Sequence, residues 1–194
     1  MDQEEIKREL TRCWLSPVYF TEKFVRIYNA TIRDWIPFEM WPAQREALGQ
    51  IMTSQYVIVL KARQLGMSWL CLSFALWLML FRPIANIMIM SKRDEESVDL
   101  LTNRLSKMHS LLPEWMQSAR VERDSAHDFV LSNGSRAKAF PTSGGRSYTG
   151  TFVLLDEADF VPSLSEVLNA IKPAVDAGGQ LVLISTVDKA VPLS

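Results

Sequence analysis

From residue 42 onward, the chain alternates short apolar runs with longer segments of helical pattern. The four apolar runs read YVIVL, ANIMIM, FVLL and QLVLIST. Such runs are typical of strands that are buried on both faces, as in parallel sheets covered by their connecting helices. The helical segments that alternate with them include 42–54, 68–81 and a third that a capping box at Ser163 and Glu166 would open. The sequence therefore predicts an α/β fold with a largely parallel sheet and helices on both faces.

Two further elements are expected between the second and third of these strands. Residues 94–112 carry apolar side chains at steps of three and four, which is one face of a helix: Val98, Leu101, Leu105, Met108 and Leu112. The stretch HDFVLSNGSRAKAF then shows two short strand patterns joined by Asn133-Gly134, the favoured pair for a two-residue hairpin turn. We therefore expect a β-hairpin insertion after this helix.

The domain organisation follows from a change of pattern near residue 40. Residues 1–40 are expected to form an N-terminal helical segment with inserted aromatic residues and a turn-rich end, DWIPFEMWP. Residues 41–194 are expected to form the core domain. The chain ends eight residues after Thr186, with no helix to cover the last strand. This core is therefore expected to be truncated.

Composition excludes several classes of protein. A net charge of -1 argues against a globally basic nucleic-acid binder, so DNA contact would need a local patch. The two cysteines, Cys13 and Cys71, lack a metal-ligand spacing and are interpreted as buried thiols. The apolar stretch WLCLSFALWLMLF is shorter than the ~20 residues that a membrane span needs, which favours a buried helix and no membrane association.

The stretch VIVLKARQLGMSWL, residues 57–70, places a loop between a strand and a helix. Against the phosphate-loop pattern G-x-x-x-x-G-K-[ST], it has Gly66 and Ser68 in register. However, Lys61 takes the position of the first glycine and Met67 that of the lysine. The stretch predicts a phosphate-binding loop, yet a strand, a loop and a Ser-initiated helix also occur together in many proteins without a nucleotide.

Three other segments carry side chains suited to nucleotide chemistry. The strand FVLL ends in Asp156 and Glu157, where nucleotide hydrolases place a magnesium-binding aspartate and a water-activating glutamate. The last strand ends in Ser185 and Thr186, whose hydroxyls could sense a terminal phosphate. Upstream, the amide of Gln44 could pair with an adenine edge. Each segment also has a purely structural interpretation. Asp156 and Glu157 would be solvated loop residues, Ser185 and Thr186 an ordinary strand end, and Gln44 an exposed residue at a helix start.

The chain carries four motifs in the order WPAQ, KARQLGMSW, VLLDEADF and LIST. This series resembles that of the N-terminal ATPase domain of the large terminase subunit, the DNA-packaging motor of tailed bacteriophages. The resemblance covers roughly residues 35–190. It implies a P-loop NTPase fold of the RecA-like, or ASCE, type that binds ATP and Mg²⁺. Some members of that family carry the loop lysine at its first position, where Lys61 stands, and a long ammonium side chain can reach the same phosphates from there.

The resemblance also implies a role for each matching residue. Arg63 would respond to the γ-phosphate, and Ser68 and Asp156 would hold the metal ion. Glu157 would be the catalytic carboxylate, and Ser185 with Thr186 would couple hydrolysis to movement. The nucleotide would also be bound by the adenine-recognition residue and the remainder of the loop, namely Gln44, Lys61, Ala62, Gln64, Leu65, Gly66, Met67 and Trp69.

By the same resemblance, the expected partners are double-stranded DNA, the portal protein and the small terminase subunit, with a homo-oligomeric ring assembled on the procapsid in the cytoplasm of the infected bacterium. Arg146 is a candidate for a phosphate or a neighbouring-subunit contact. No nuclease activity is expected, because the sequence offers no acidic cluster for two-metal cleavage. A helicase-like ATPase lobe and a hydrolysis-deficient, partner-docking fragment are the alternatives, the second supported mainly by Met67.

For DNA contact, the candidates are Lys92 with Arg93 and the hairpin residues Arg136 with Lys138. Ordinary solvated charges are the favoured interpretation of these residues, since no aromatic residues are interleaved with them.

Overall fold

The computed structural model describes residues 1–62, 65–82, 84–141, 150–161 and 163–186. The helices are α1 (Gln3–Leu15), α2 (Pro17–Phe24), α3 (Pro42–Thr53), α4 (Met67–Phe81), α5 (Asp94–Asp99), α6 (Lys107–Ser110) and α7 (Leu164–Asp176). The strands are β1 (Arg26–Asn29), β2 (Asp34–Pro37), β3 (Tyr56–Lys61), β4 (Asn86–Ser91), β5 (Val121–Asp124), β6 (Asp128–Leu131), β7 (Arg136–Pro141), β8 (Phe152–Leu155) and β9 (Gln180–Thr186).

Seven strands form the main sheet, in the order β3-β9-β8-β4-β7-β6-β5. The five strands from β3 to β7 in this order are parallel to their neighbours, while β6 and β5 extend the sheet in antiparallel fashion. The predicted parallel sheet is therefore confirmed. Because parallel strands end at the same edge of a sheet, the carboxyl ends of β3, β9, β8 and β4 lie close together.

Two apolar clusters cover the two faces of this sheet. Helix α4 lies in the larger cluster and buries eleven of its fifteen residues, which confirms the buried-helix interpretation of WLCLSFALWLMLF. Helix α7 lies in the second cluster, on the opposite face. Strand β3 is covered on one face only, because Tyr56, Ile58 and Leu60 are exposed. Among the residues that the structure describes, no helix is both long and apolar enough to span a membrane.

The N-terminal segment is helical only as far as Phe24, so the helical prediction for 1–40 was wrong in its second half. The predicted turn region contains β2, which pairs with β1 as a two-stranded antiparallel hairpin. Each strand has four residues, too few for a period-two pattern to stand out. Helices α1 and α2 pack on α4, where Trp77 donates to the carbonyl of Cys13 at 2.7 Å. Burial raises the pKa of Cys13 to about 12, as expected for a buried thiol.

The segment predicted as one helix over 94–112 is helical to Ser110, and its apolar face is buried as expected. Residues Leu100–Ser106, between α5 and α6, are π-helical, which the sequence pattern did not predict. Such segments are rare and frequently occur at functional sites. In this chain the π-helical turn borders the cleft described below.

Two local predictions need correction. The β6–β7 hairpin has a three-residue loop instead of a two-residue turn, because Leu131 N–H bonds to the Ser135 carbonyl and Gly134 adopts a φ of +87°. Helix α7 begins after Ser163 as expected, but no capping box forms there. Ser163 has a φ of +54° and its hydroxyl makes no cap hydrogen bond.

Candidate functional site

A cleft of about 1520 Å³ opens at the carboxyl ends of the parallel strands. Strand β3 contributes Lys61, β9 contributes Thr186, and the turn after β8 contributes Asp156 and Glu157. The other walls come from the β1–β2 hairpin, the start of α4 and the π-helical turn. The three separate motifs of the sequence therefore meet in one cleft, as the topology of the sheet requires.

The loop before α4 ends in a glycine that sets the direction of the helix. Gly66 is the N-cap of α4 with a φ of +67°, a left-handed conformation that glycine adopts readily. Its carbonyl accepts the first helical hydrogen bond, from Leu70 at 3.1 Å. The free N–H groups of the first turn of α4 thus follow directly on the loop, which is the usual arrangement of an anion-binding helix N-terminus.

Ser68 and Asp156 link this helix to the neighbouring strand β8. The Ser68 hydroxyl donates to Asp156 Oδ2 at 2.7 Å, and the two residues are only 9% and 7% exposed. Burial raises the pKa of Asp156, while the Ser68 hydrogen bond and the Lys61 charge partly offset this rise. Two hard oxygen groups in contact suit Mg²⁺, which takes few protein ligands and keeps water or phosphate oxygens as the others.

Glu157 is held at the mouth of the cleft by an ion pair. It adopts a left-handed φ of +53°, and its Oε2 lies 2.8 Å from the Lys92 ammonium. Lys92 follows β4 and also lies over the Phe160 ring, at 4.8 Å from its centroid. The hydrogen bond to Glu157 raises the pKa of Lys92, so the ammonium keeps its charge. The Glu157 carboxylate therefore has a cationic partner within the cleft.

Ser185 and Thr186 lie beside the same acidic turn. Both are buried at the end of β9, and Thr186 pairs in register with Lys61 of β3. The Ser185 hydroxyl accepts a hydrogen bond from the backbone N–H of Asp159 at 3.3 Å. This hydrogen bond connects the acidic turn directly to β9.

The model of the family described as terminase large subunit, T4likevirus-type, N-terminal, matches residues 58–190, well over half of the chain. This chain belongs to that terminase family. A search of the curated proteins finds no match.

Solved structures of phage terminases share the fold. The ATPase domain of the Thermus phage P74-26 large terminase has a TM-score of 0.62 at 20% identity, over 76% of this chain and 65% of that chain. The HK97 bacteriophage large terminase has a TM-score of 0.69 at 19% identity, over 89% of this chain and 37% of that chain. A large terminase of a thermophilic bacteriophage, in complex with ATP-γ-S, has a TM-score of 0.59 at 14% identity, over 76% and 38% of the two chains. The terminase chain described here thus spans between 37% and 65% of the length of these relatives.

These similarities confirm the predicted α/β fold of the P-loop NTPase type for this terminase chain. The cleft is lined by most of the predicted loop residues, namely Lys61, Leu65, Gly66, Met67, Ser68 and Trp69. Ala62 is exposed at the end of β3. Arg63, Gln64 and Arg146 lie outside the described residues, so their predicted roles remain predictions.

Gln44 borders the terminase cleft, but its amide already has two protein partners. Its Oε1 accepts from the Trp41 N–H at 3.0 Å, and its Nε2 donates to the Leu65 carbonyl at 2.9 Å. Only 6% of the residue is exposed. The predicted adenine contact remains a prediction, whereas the contact with the loop is a new finding that no local sequence pattern signals.

Sequence reasoning also missed much of the cleft wall. The β1–β2 hairpin presents Trp35, whose ring meets that of Trp69 edge to face at 5.7 Å between centroids. From the π-helical turn, the Arg104 guanidinium lies 5.1 Å from the centroid of Trp69. The one sequence feature that pointed to this wall of the cleft is that Trp69 directly follows Ser68 in the loop motif.

The four basic candidates for DNA contact do not form one patch. Lys92 and Arg93 follow the carboxyl end of β4, while Arg136 pairs with Asn86 at the opposite end of the same strand. Lys138 forms an ion pair with Asp128 at 3.2 Å. Lys92 in turn is engaged by Glu157, as described above. A continuous DNA track along these residues is therefore not supported.

Proposed function

We propose that this chain is the ATP-hydrolysing motor domain of a phage large terminase and that its cleft binds ATP with Mg²⁺. The observation that carries the proposal is the 2.7 Å hydrogen bond between Ser68 and Asp156, with Glu157 as the next residue. It joins the loop, the strand-end acid and the adjacent carboxylate in one cleft. Nucleotide hydrolases require this combination of groups.

The chain's own groups would divide the work as follows. The N–H groups of the loop and of the first turn of α4 would receive the phosphates, with Lys61 supplying positive charge. Ser68 and Asp156 would hold the Mg²⁺, which neutralises charge on the phosphate oxygens when bound. Glu157 would accept a proton from the attacking water once its carboxylate leaves Lys92. Arg63 would respond to the γ-phosphate, and Arg146 is a candidate for a contact across a subunit boundary.

Burial supports the displaced-lysine interpretation of the loop. Met67 is only 6% exposed and belongs to the apolar core, so the side chain at the usual lysine position packs instead of facing solvent. Lys61 borders the cleft from the end of β3, and its charge acts on Asp156. A positive charge is therefore supplied to the cleft from the other end of the loop, which weakens the main argument for a hydrolysis-deficient fragment.

Family membership supports a wider role in DNA packaging. Hydrolysis would drive double-stranded DNA into the procapsid, with Ser185 and Thr186 transmitting the movement of the acidic turn. The portal protein, the small terminase subunit and further copies of this chain in a ring would be the partners, in the cytoplasm of the infected bacterium. Contacts with the DNA backbone alone would suit a motor that must move any sequence. Nuclease activity would require groups outside this set.

Hydrolysis is tested by measuring magnesium-dependent phosphate release from ATP with Glu157→Gln and the matched control Glu166→Gln. Glu166 is exposed in the first turn of α7, on the other face of the sheet. We expect Glu157→Gln to lower turnover at least about a hundredfold, as for the loss of a general base, and Glu166→Gln to leave it unchanged. Equal turnover of wild type and Glu157→Gln would refute the proposal.

A further inference from the structure

We propose that Arg104 is a further phosphate-contact residue of the cleft, placed there by the π-helical turn Leu100–Ser106. The inference rests on the proposed function, because it concerns the nucleotide that the same cleft would bind. It adds a cation that lies outside the phosphate loop and outside the other motifs of the sequence.

The π-helical turn gives Arg104 a neighbour that an α-helix would not. Side chains on an α-helix meet at spacings of three and four residues, whereas a π-helix closes its hydrogen bonds over five. Arg104 follows Asp99 by five positions, and its Nε donates to Asp99 Oδ2 at 3.2 Å. The Asn103 amide also donates to Asp99, at 2.9 Å. The Asp99 carboxylate therefore fixes Arg104 at the wall of the cleft.

An aromatic surface holds the guanidinium from a second side. Arg104 lies 5.1 Å from the centroid of the Trp69 ring, which meets the Trp35 ring edge to face at 5.7 Å. An arginine that is stacked in this way loses little conformational freedom when it binds a ligand. Trp69 directly follows Ser68 in the first turn of α4. Arg104 is therefore fixed beside the helix end whose free N–H groups would receive the phosphates.

The guanidinium keeps hydrogen-bond donors for a ligand. Within the part of the chain that the structure describes, Arg104 donates through Nε alone, so its two terminal NH₂ groups are open. The Arg104 side chain is 31% exposed and lines the cleft together with Lys107. A planar fork of this kind matches two phosphate oxygens at once. Arg104 is thus arranged to receive an anion, and the phosphates are the anions that the proposed function brings to the cleft.

The test compares Arg104→Met, which removes the guanidinium, with Arg12→Met as the matched control. Arg12 also lies over an aromatic ring, that of Tyr19 at 5.9 Å, and pairs with the Glu9 carboxylate at 3.1 Å. It belongs to α1, which contributes none of the described residues that line the cleft. Calorimetry measures the dissociation constants of ATP and of inorganic tripolyphosphate, both with magnesium, because tripolyphosphate carries phosphates without a ribose or a base. Thermal unfolding shows whether each variant folds.

For Arg104→Met we expect both ligands to bind about tenfold more weakly, since a hydrogen bond between charged groups accounts for roughly one such factor. Arg12→Met should leave both affinities unchanged. If a folded Arg104→Met protein binds tripolyphosphate as tightly as wild type, the inference is overturned, whether the affinity for ATP is kept or lost.

Asp99→Asn separates phosphate binding from a bracing role of the ion pair. If Arg104 only stabilised the wall through Asp99, the loss of either partner would weaken ligand binding. A guanidinium that binds phosphate instead loses a competing charge in Asp99→Asn, while the amide oxygen still accepts its hydrogen bond. Tripolyphosphate should therefore bind equally well or up to about fivefold more tightly, the range for an exposed ion pair. Weaker binding of tripolyphosphate by Asp99→Asn would overturn the inference.

A further variant, Arg104→Lys, covers the case in which Arg104→Met does not fold. Lysine keeps the positive charge but lacks the planar fork, so the affinity for tripolyphosphate should fall by about two- to fivefold. An affinity equal to that of wild type would show that the fork makes no contact and would overturn the inference. Wild-type protein that binds neither ligand would refute the proposed function together with this inference, and is thereby distinguished from failure of the inference alone.

Discussion

Replacing Ser68 by alanine perturbs the contact on which the site depends. The hydroxyl donates to a buried carboxylate, and hydrogen bonds to charged groups are worth about 1.5–3 kcal/mol. We therefore expect Ser68→Ala to lower the free energy of unfolding by about 2 kcal/mol at neutral pH. For a domain of this size, that is a fall in Tm of roughly 4–8 °C.

The pH dependence identifies Asp156 as the origin of this loss. The folded-state pKa of Asp156 is raised, so the folded protein binds the proton of this carboxyl group more tightly than the unfolded chain does. Asp156 therefore stabilises the fold fully below its unfolded pKa. This stabilisation is lost as the pH rises through the folded pKa. Ser68→Ala removes a hydrogen bond that favours the charged form and raises this pKa further. The difference between wild type and variant should therefore be large near pH 8 and shrink near pH 4.

Denaturant unfolding at both pH values provides the measurement, with Ser73→Ala as the matched control. Ser73 lies in the same helix and shares a buried 2.7 Å hydrogen bond with the uncharged Thr21 hydroxyl. Its loss should cost about 1 kcal/mol at both pH values. If the Ser68→Ala difference is the same at both pH values, or absent, the account of Asp156 as a buried carboxylate stabilised by Ser68 is refuted.

Three further outcomes are expected. Lys92→Met should release the Glu157 carboxylate and raise basal ATP turnover by up to about fivefold, which corresponds to the energy of a partly exposed ion pair. Lower turnover would instead show that Lys92 assists the reaction. Gly66→Ala should lower the free energy of unfolding by about 1–2 kcal/mol, because Gly66 has a φ of +67°. Gly49→Ala should leave the free energy of unfolding unchanged or raise it, because Gly49 lies in α3 with open space around it. Equal melting temperatures of the two variants would contradict this expectation. Cys13 should resist thiol reagents at pH 8 until the protein is denatured, since burial raises its pKa to about 12, and rapid labelling of native protein would show that it is accessible.

The parallel core was predictable because its signals are local and repeated. Apolar runs such as ANIMIM have the composition of strands with two buried faces, and the periodic apolar face from Val98 to Leu112 can be recognised without knowledge of the fold. The meeting of Ser68 and Asp156, 88 positions apart, followed from topology, because both lie at the carboxyl edge of a parallel sheet. Strand order therefore accounts for most of the site.

The features that were missed depend on contacts between segments. Strands β1 and β2 have four residues each, and their pairing against the cleft is decided by tertiary packing. The amide of Gln44 and the ammonium of Lys92 could each have remained solvated, and nothing in the flanking sequence indicates that Leu65 and Glu157 are their partners. The Ser163 capping box failed because the backbone there is left-handed.

In the proposed function, Lys61 supplies the charge that the phosphate loop lacks at Met67. The decisive experiment compares the magnesium-dependent ATPase rates of wild type, Lys61→Ala and Met67→Lys, with Lys172→Ala on α7 as the control for the loss of a lysine. We expect wild type and Lys172→Ala to hydrolyse ATP at the same rate and Lys61→Ala to abolish the activity. An inactive wild type that Met67→Lys makes active would contradict it, since the loop lysine would then be absent instead of displaced.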